Sequence, residues 1–215
     1  VTPALAQSWR VSEDRRTYTF HLDPAARWSN GDSVTAHDFV YSWRRPIHPE
    51  TSVDYTALFL LIDGAQEFFD WRAQQLAGYA SRPGDQKSVA AARAFPFEAQ
   101  ERCERTVGLR AVDDHTFEVR LARPVAYFLD LCAFGPFFPV HPPTIERWVD
   151  VDAQTGAIRQ AHGWTKPPHC VTNGPYMLEQ WRFKRDLRMK RNPHFRDPTL
   201  ARCNSVRIIY IEDQN

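Results

Sequence analysis

Apolar and polar residues alternate strictly along 17–22. Tyr18, Phe20 and Leu22 share one parity, and Thr17, Thr19 and His21 share the other. A period of two predicts a strand with one wet face. Asn30-Gly31-Asp32 is a turn signal. Thr35 followed by Asp38 has the spacing of a capping box. The helix it opens carries Phe39, Val40 and Trp43 and ends at Pro46, which has no amide hydrogen to donate. Tyr55, Leu58, Phe59 and Ile62 fall at i, i+3, i+4 and i+7, the stripe of an amphipathic helix. Residues 71–105 are rich in Ala, Gln, Arg and Glu and break at Arg82-Pro83-Gly84-Asp85. They predict a surface insertion with one or two helices, such as 86–94.

Period two returns at Phe117, Val119 and Leu121, with a hairpin turn through Asp113-Asp114-His115. Pro124 marks the first position of a helix with the stripe Val125, Phe128, Leu129 and Cys132. The stretch from Phe134 is aromatic and proline-rich, too stiff for a helix. It reads as a crossover between two packed units, ending in Phe138, Pro139, Val140 and His141. Pro142 and Pro143 then open a helix bearing Ile145, Trp148 and Val149. Trp181, Phe183, Leu187 and Met189 oppose Arg182, Lys184, Arg188 and Lys190, which predicts a core face and a cationic face. Val206, Ile208 and Tyr210 repeat the period in a buried strand. The fold class is α+β, with strands outnumbering regular helices.

With 215 residues the chain is one large domain or two small ones. Hydrophobic residues at 43% and charged residues at 25% exclude disordered and collagen-like classes. The longest apolar run, Ala57 to Ile62, is far short of the roughly 20 residues of a membrane span. A formal charge of +1 gives no global basic field, so nucleic acid is not an expected partner. Cys103, Cys132, Cys170 and Cys203 include no C-x-x-C pair. Val1 to Leu5 show neither a start Met nor a leader, so the sequence reads as part of a longer chain.

Nucleophile elbows, phosphate loops and paired zinc histidines are absent from the sequence. Three looser groupings remain. His141, His162, His169 and Cys170 are metal-ligand types, but their long, irregular spacing suits separate histidines near prolines. Asp113-Asp114-His115 has the composition of a carboxylate-oriented base, and a hairpin turn accounts for all three residues. Arg182 to Arg196 holds seven basic residues against Asp186, with Asp197 next in the chain. It has the charge to meet phosphates, and the wet face of a strand explains it as well. No catalytic residue, metal or cofactor is expected.

Five ordered blocks resemble one family. Trp28-Ser29-Asn30-Gly31-Asp32 through Thr35-Ala36-His37-Asp38-Phe39-Val40-Tyr41-Ser42-Trp43 is the first. The others are Tyr18-Thr19-Phe20-His21-Leu22, Val112-Asp113-Asp114-His115-Thr116-Phe117, Val171-Thr172-Asn173-Gly174-Pro175-Tyr176 and Arg191-Asn192-Pro193-His194-Phe195. They are similar to the peptide-type extracellular solute-binding proteins, the oligopeptide-, dipeptide- and nickel-binding components of ABC importers. The resemblance is strongest to the oligopeptide-binding branch.

That resemblance implies part of a periplasmic-binding-protein type II clamshell. It assigns 1–140 to the small lobe called domain II, with the insertion at 71–105. It assigns 141–215 to the middle of the ligand lobe called domain I. The opposing lobe has no counterpart. The implied function is binding a peptide or other small solute in a two-lobe cleft for transport. The implied partners are the importer's membrane subunits, around a monomeric protein in the periplasm or at the cell surface. Tyr55 aligns with the family's ligand-contacting tyrosine, though it equally suits the start of a core stripe, and Asp54 replaces the family's proline. The residues Asn173-Gly174 read as a tight turn that tolerates positive φ. Cys170 and Cys203 fall in one expected lobe and either pair or stay as thiols. Two alternatives stand beside this reading. One is the ligand-sensing domain of a transcription regulator with the same fold. The other is a metal-dependent enzyme using His141, His162 and His169.

Overall fold

The computed structural model describes residues 3–211; Val1 and Thr2, where the reading for a leader begins, lie outside them. The chain forms two compact units. Unit 1 holds the residues up to Asp23, then Thr35–Pro139 and Val149–Gln160. Unit 2 holds Pro24–Val34, Val140–Trp148 and the chain from Ala161 onward. Residues 24–34 and 149–160 thus group apart from the sequence neighbours that a single boundary at 140 gives them. Hydrogen bonds account for both. The Ser29 amide donates to the Thr172 carbonyl at 2.7 Å. In the other unit, Arg45 reaches Gln160 Oε1 at 2.5 Å, and the Tyr79 hydroxyl reaches the Ala153 carbonyl at 3.1 Å.

Unit 1 is built on four antiparallel strands, β1 (Ala6–Val11), β2 (Thr17–Leu22), β3 (Leu109–Asp113) and β4 (Thr116–Arg120), in the order β1-β2-β4-β3. The register places Tyr18 opposite Val119 and Phe20 opposite Phe117, so the apolar parity of both strands shares one face. All four side chains are buried. The helix α1 (Ala36–Arg44) starts where the capping pattern predicts, with the Asp38 carboxylate accepting the Thr35 N–H at 2.9 Å. Its Trp43 packs edge-on against Phe117 and Phe137, each 5.0 Å away, and donates Nε1–H to the Phe137 carbonyl at 2.8 Å. A buried indole needs such a partner.

The stripe from Tyr55 to Ile62 does not become a full helix. Only α2 (Thr56–Phe59) forms. Ile62 instead bridges Leu121, and the Asp63 amide donates to the Arg120 carbonyl at 2.9 Å. Pairing with the end of β4 pulls the chain out of helical geometry. Residues 65–106 supply the helices expected within 71–105 and also contribute to the core. They form a helical hairpin, α3 (Ala65–Ala80) and α4 (Val89–Thr106), that buries Phe68, Arg72, Tyr79, Ala92, Ala99 and Cys103. The seam is spelled partly in alanines, which let helix backbones approach but give little periodic signal. Arg102 lies 4.5 Å over the Trp71 ring, and Tyr79 and Phe95 are 4.7 Å apart. The helix α5 (Phe128–Cys132) begins four residues after Pro124, so that proline opens a turn and not the helix. Val149 leaves the expected helix and starts the hairpin β5 (Val149–Val151) and β6 (Ile158–Gln160).

Unit 2 contains α6 (Pro142–Glu146) and the antiparallel sheet β7 (Tyr176–Arg182), β8 (Asp186–Arg191) and β9 (Ser205–Ile209). The alternation is present, but the described residues supply no layer that buries it. Trp181 and Phe183 are exposed, and so are Ile208 and Ile209 of β9, which corrects the expectation of a buried strand. Two sequence blocks meet here. The Asn192 side-chain amide donates to the Gly174 carbonyl at 2.8 Å, and its backbone amide donates to the Pro175 carbonyl at 2.9 Å. Positive φ falls on Gly31, at 95°, and not on Gly174. It closes the turn in which the Gly31 amide donates to the Trp28 carbonyl at 2.9 Å.

Candidate functional site

Tyr55 sits just outside α2, as its N-cap residue. Its ring is 46% exposed, so it does not open the core stripe; Phe59 and Ile62 do that work, fully buried. The ring meets Phe134 edge-on, with centroids 5.0 Å apart and planes at 89°. Phe134 is itself 40% exposed. The two rings brace one another in an open aromatic corner on unit 1. An edge-to-face pair of this kind is worth about 0.5–1.5 kcal/mol beyond its buried area. The sequence reading did not single out Phe134. Its signal was an aromatic residue held by the following Gly135-Pro136, which begins a 3-10 turn through Phe137.

The four crossover residues separate by role. Phe138 is exposed and Pro139 is buried. Both line a cavity of about 390 Å³ in unit 1, together with Trp9, Phe20, Phe39 and Leu129. Among the described residues Cys132 is the one titratable group on its wall, and burial pushes that thiol up to about 12. A thiol so far from ionisation is no nucleophile. The cavity can take up apolar surface and has no group for acid–base work. The chain enters unit 2 at Val140. His141 is buried there, with Nδ1 2.7 Å from Thr144 Oγ1 and Nε2 3.0 Å from Asp32 Oδ2. Trp28 packs edge-on to its ring at 5.4 Å. His141 therefore ties the end of the crossover to the Trp28–Asp32 turn.

The histidine grouping does not assemble. His169 stacks edge-on with Trp148 at 5.3 Å, while His141 is held by Asp32 and Thr144. Among the described residues no group of three or more His, Cys, Asp or Glu side chains is placed to hold a metal. All four cysteines are free thiols. Asp113 accepts the His115 amide at 2.8 Å, and that bond holds its carboxyl below the ordinary range. It is a turn-forming carboxylate with no base to orient. The basic run is not a uniform cationic face either. Asp186, at its centre, is bonded by Arg182 at 2.5 Å and by Arg207 at 2.7 Å. Those bonds hold its carboxyl far below the usual carboxylate range despite burial.

Residues 1–215 match the family described as bacterial extracellular solute-binding proteins, family 5 Middle. The periplasmic oligopeptide-binding protein OppA of Salmonella typhimurium is 30% identical over 213 residues, covering 99% of this chain and 32% of that protein. The dipeptide-binding protein DppE of Bacillus subtilis is 28% identical over 99% of this chain and 32% of its own length. Among solved structures, Haemophilus influenzae OppA in complex with RPPGFSPFR superposes with a TM-score of 0.72 at 28% identity. That match covers 98% of this chain and 33% of the other. The chain thus spans about a third of the relatives it matches. No helix among the described residues is long and apolar enough to cross a membrane.

Proposed function

Because this chain belongs to the bacterial extracellular solute-binding proteins of family 5, we propose that it supplies part of the solute-binding component of an ABC importer that carries peptides. The observation that carries this reading is the match along the whole chain to proteins named for oligopeptides and dipeptides, one of them solved with a peptide bound. In this reading unit 1 serves as the small lobe, domain II, and unit 2 as part of the ligand lobe, domain I. The opposing lobe comes from the rest of a longer protein. The importer's membrane subunits are the partners of a monomeric protein, outside the cytoplasmic membrane, in the periplasm or at the cell surface. The role is binding without catalysis, in keeping with an apolar cavity and inert buried thiols.

The aromatic corner of Tyr55 and Phe134 is the part of this chain we assign to the solute. A peptide lying extended in a cleft offers side chains to flat apolar surfaces and backbone groups to hydroxyls. Tyr55 has both kinds of surface, and Phe134 fixes the ring that presents them. Calorimetry on the full-length protein with a mixed peptide library tests the reading. Peptide binding is expected, and Tyr55→Ala weakens it about ten-fold, the loss of one aromatic contact. A full-length protein that binds no peptide overturns the cargo assignment. Unchanged affinity in Tyr55→Ala removes the aromatic corner from the site. The 215-residue chain alone is expected to bind peptides weakly or not at all, because one face of the cleft is elsewhere. Micromolar binding by the chain alone would contradict that.

A further inference from the structure

The turn between β7 and β8 combines three features that the fold of unit 2 does not explain. First is charge. From Tyr176 to Arg191 the hairpin holds six basic side chains against Glu179 and Asp186, whereas the whole chain has a formal charge of only +1. Asp186 does not offset the cations at the turn. It is buried and already engaged by Arg182 at 2.5 Å, Arg207 at 2.7 Å and Arg188 at 3.6 Å. Among the described residues, Lys184 and Arg185 form no ion pair.

Second is exposed aromatic surface. Phe183 is 78% exposed at the tip, with Trp181 also exposed two residues earlier. Both line an open notch of about 500 Å³ with Lys166, Pro167, Glu179 and Gln180. A phenyl ring left in water contributes nothing to folding. Third is backbone conformation. The Arg185 amide donates to the Arg182 carbonyl at 3.0 Å, closing a tight turn in which Lys184 has a φ of 53°. That is the left-handed region where glycine or asparagine is the low-strain choice. The turn keeps a lysine there instead, its Nζ 5.9 Å from the Phe183 ring.

We propose that this turn is a docking tip for an anionic lipid surface. Phe183, at the tip of the turn, enters the boundary between headgroups and acyl chains, and Lys184 and Arg185 reach the lipid phosphates beside it. Aromatic rings flanked by long basic side chains suit that depth, because apolar stems lie along the ring while the charged ends stay at the phosphates. Arg182 is held by Asp186 at the base of the turn, so the tip is presented rigidly. A neutral or cationic surface has no complement for the free charges. The inference goes beyond solute binding and does not depend on which solute is carried.

Flotation of the full-length protein with lipid vesicles tests it, circular dichroism confirming the fold of each variant. The protein is expected to float with vesicles of phosphatidylglycerol and phosphatidylethanolamine and not with phosphatidylcholine alone. High salt should release it, since screening weakens exposed charge pairs. Phe183→Ser should lower the bound fraction about five-fold. Lys184→Gly should lower it by a similar factor, roughly the contribution of one cation near an anionic surface. The same substitution should leave thermal stability unchanged or raised, because glycine relieves the strained backbone. Absence of flotation with anionic vesicles overturns the proposal, and so does equal flotation of Phe183→Ser and the unaltered protein. Flotation only when the vesicles also carry the importer's membrane subunits overturns it in favour of a protein dock.

Discussion

Arg72 is fully buried, which a guanidinium tolerates only when its donors are matched. Here Nε and Nη2 donate to Glu50 Oε1 at 3.0 and 2.6 Å, and Nη1 donates to Gln75 Oε1 at 2.5 Å. Nη2 also reaches the Gly156 carbonyl at 3.3 Å, so one side chain joins α3, the Glu50 turn and the β5–β6 hairpin. Burial alone would push the Glu50 carboxyl up. The neighbouring His48 and the Arg72 guanidinium outweigh it and bring the group from 4.5 down to about 2. A carboxylate depressed on folding stabilises the protein fully above its unfolded value. That contribution is lost as pH falls from about 4.5 through about 2. Urea titrations at stepped pH should therefore show stability declining across this window, with a flatter profile in Glu50→Gln. Arg72→Met should cost about 3–5 kcal/mol, because it strands a buried carboxylate. Adding Glu50→Leu to Arg72→Met should recover most of that loss, since no charge is then left unpaired. A double variant no more stable than the single one would mean that packing, not charge, makes Arg72 important.

At the scale of elements, Gly64 shows how a helix start is fixed without a capping side chain. It precedes α3 with a φ of 72°, and a Cβ placed there would run into the Thr106 carbonyl at the end of α4. Gly64→Ala should therefore destabilise unit 1 by at least about 2 kcal/mol, combining left-handed strain with steric overlap. Thermal melts check this, and a loss below about 0.5 kcal/mol would show that the α3–α4 hairpin shifts freely. The same hairpin explains what the sequence could and could not convey. Thr17–Leu22 and Ala36–Arg44 were legible because one period, one turn signal and one cap pattern all agreed. For α3 and α4 helix was legible but burial was not, because an interior arginine and a seam of alanines look like a solvated face. Tyr55–Ile62 misled for a different reason. Its helical spacing is real, but a bridge to Leu121 is a long-range contact that no local pattern encodes. The candidate site divides similarly. Tyr55 could be named from a motif, whereas Phe134 became visible only when folding set the two rings 5.0 Å apart.

At the scale of the molecule, the two units have unequal cores. The large apolar cluster, from Tyr18 and Phe20 through Trp43, Phe59, Phe117 and Phe128, lies wholly in unit 1. Unit 2 is held instead by polar ties, such as Asn192 to Gly174, Ser29 to Thr172 and Asp186 to its arginines, around a few buried residues including Trp28 and Ile145. Hydrogen bonds net only about 0.5–1.5 kcal/mol each, while a fully buried large apolar side chain contributes roughly 1.5–3 kcal/mol. Unit 1 should therefore be the more stable unit, and the chain should not unfold as a single cooperative block. Hydrogen exchange of the 215-residue chain should show the slowest amides in β2 and β4. Amides of β8 and β9 should exchange at least about ten-fold faster, because their sheet lacks a covering layer. Equal protection in the two sheets would mean that the polar ties alone stabilise unit 2 as well as a core would. The unequal result has a structural reading: the apolar parity of β9, exposed at Ile208, is where further polypeptide has most to gain by packing.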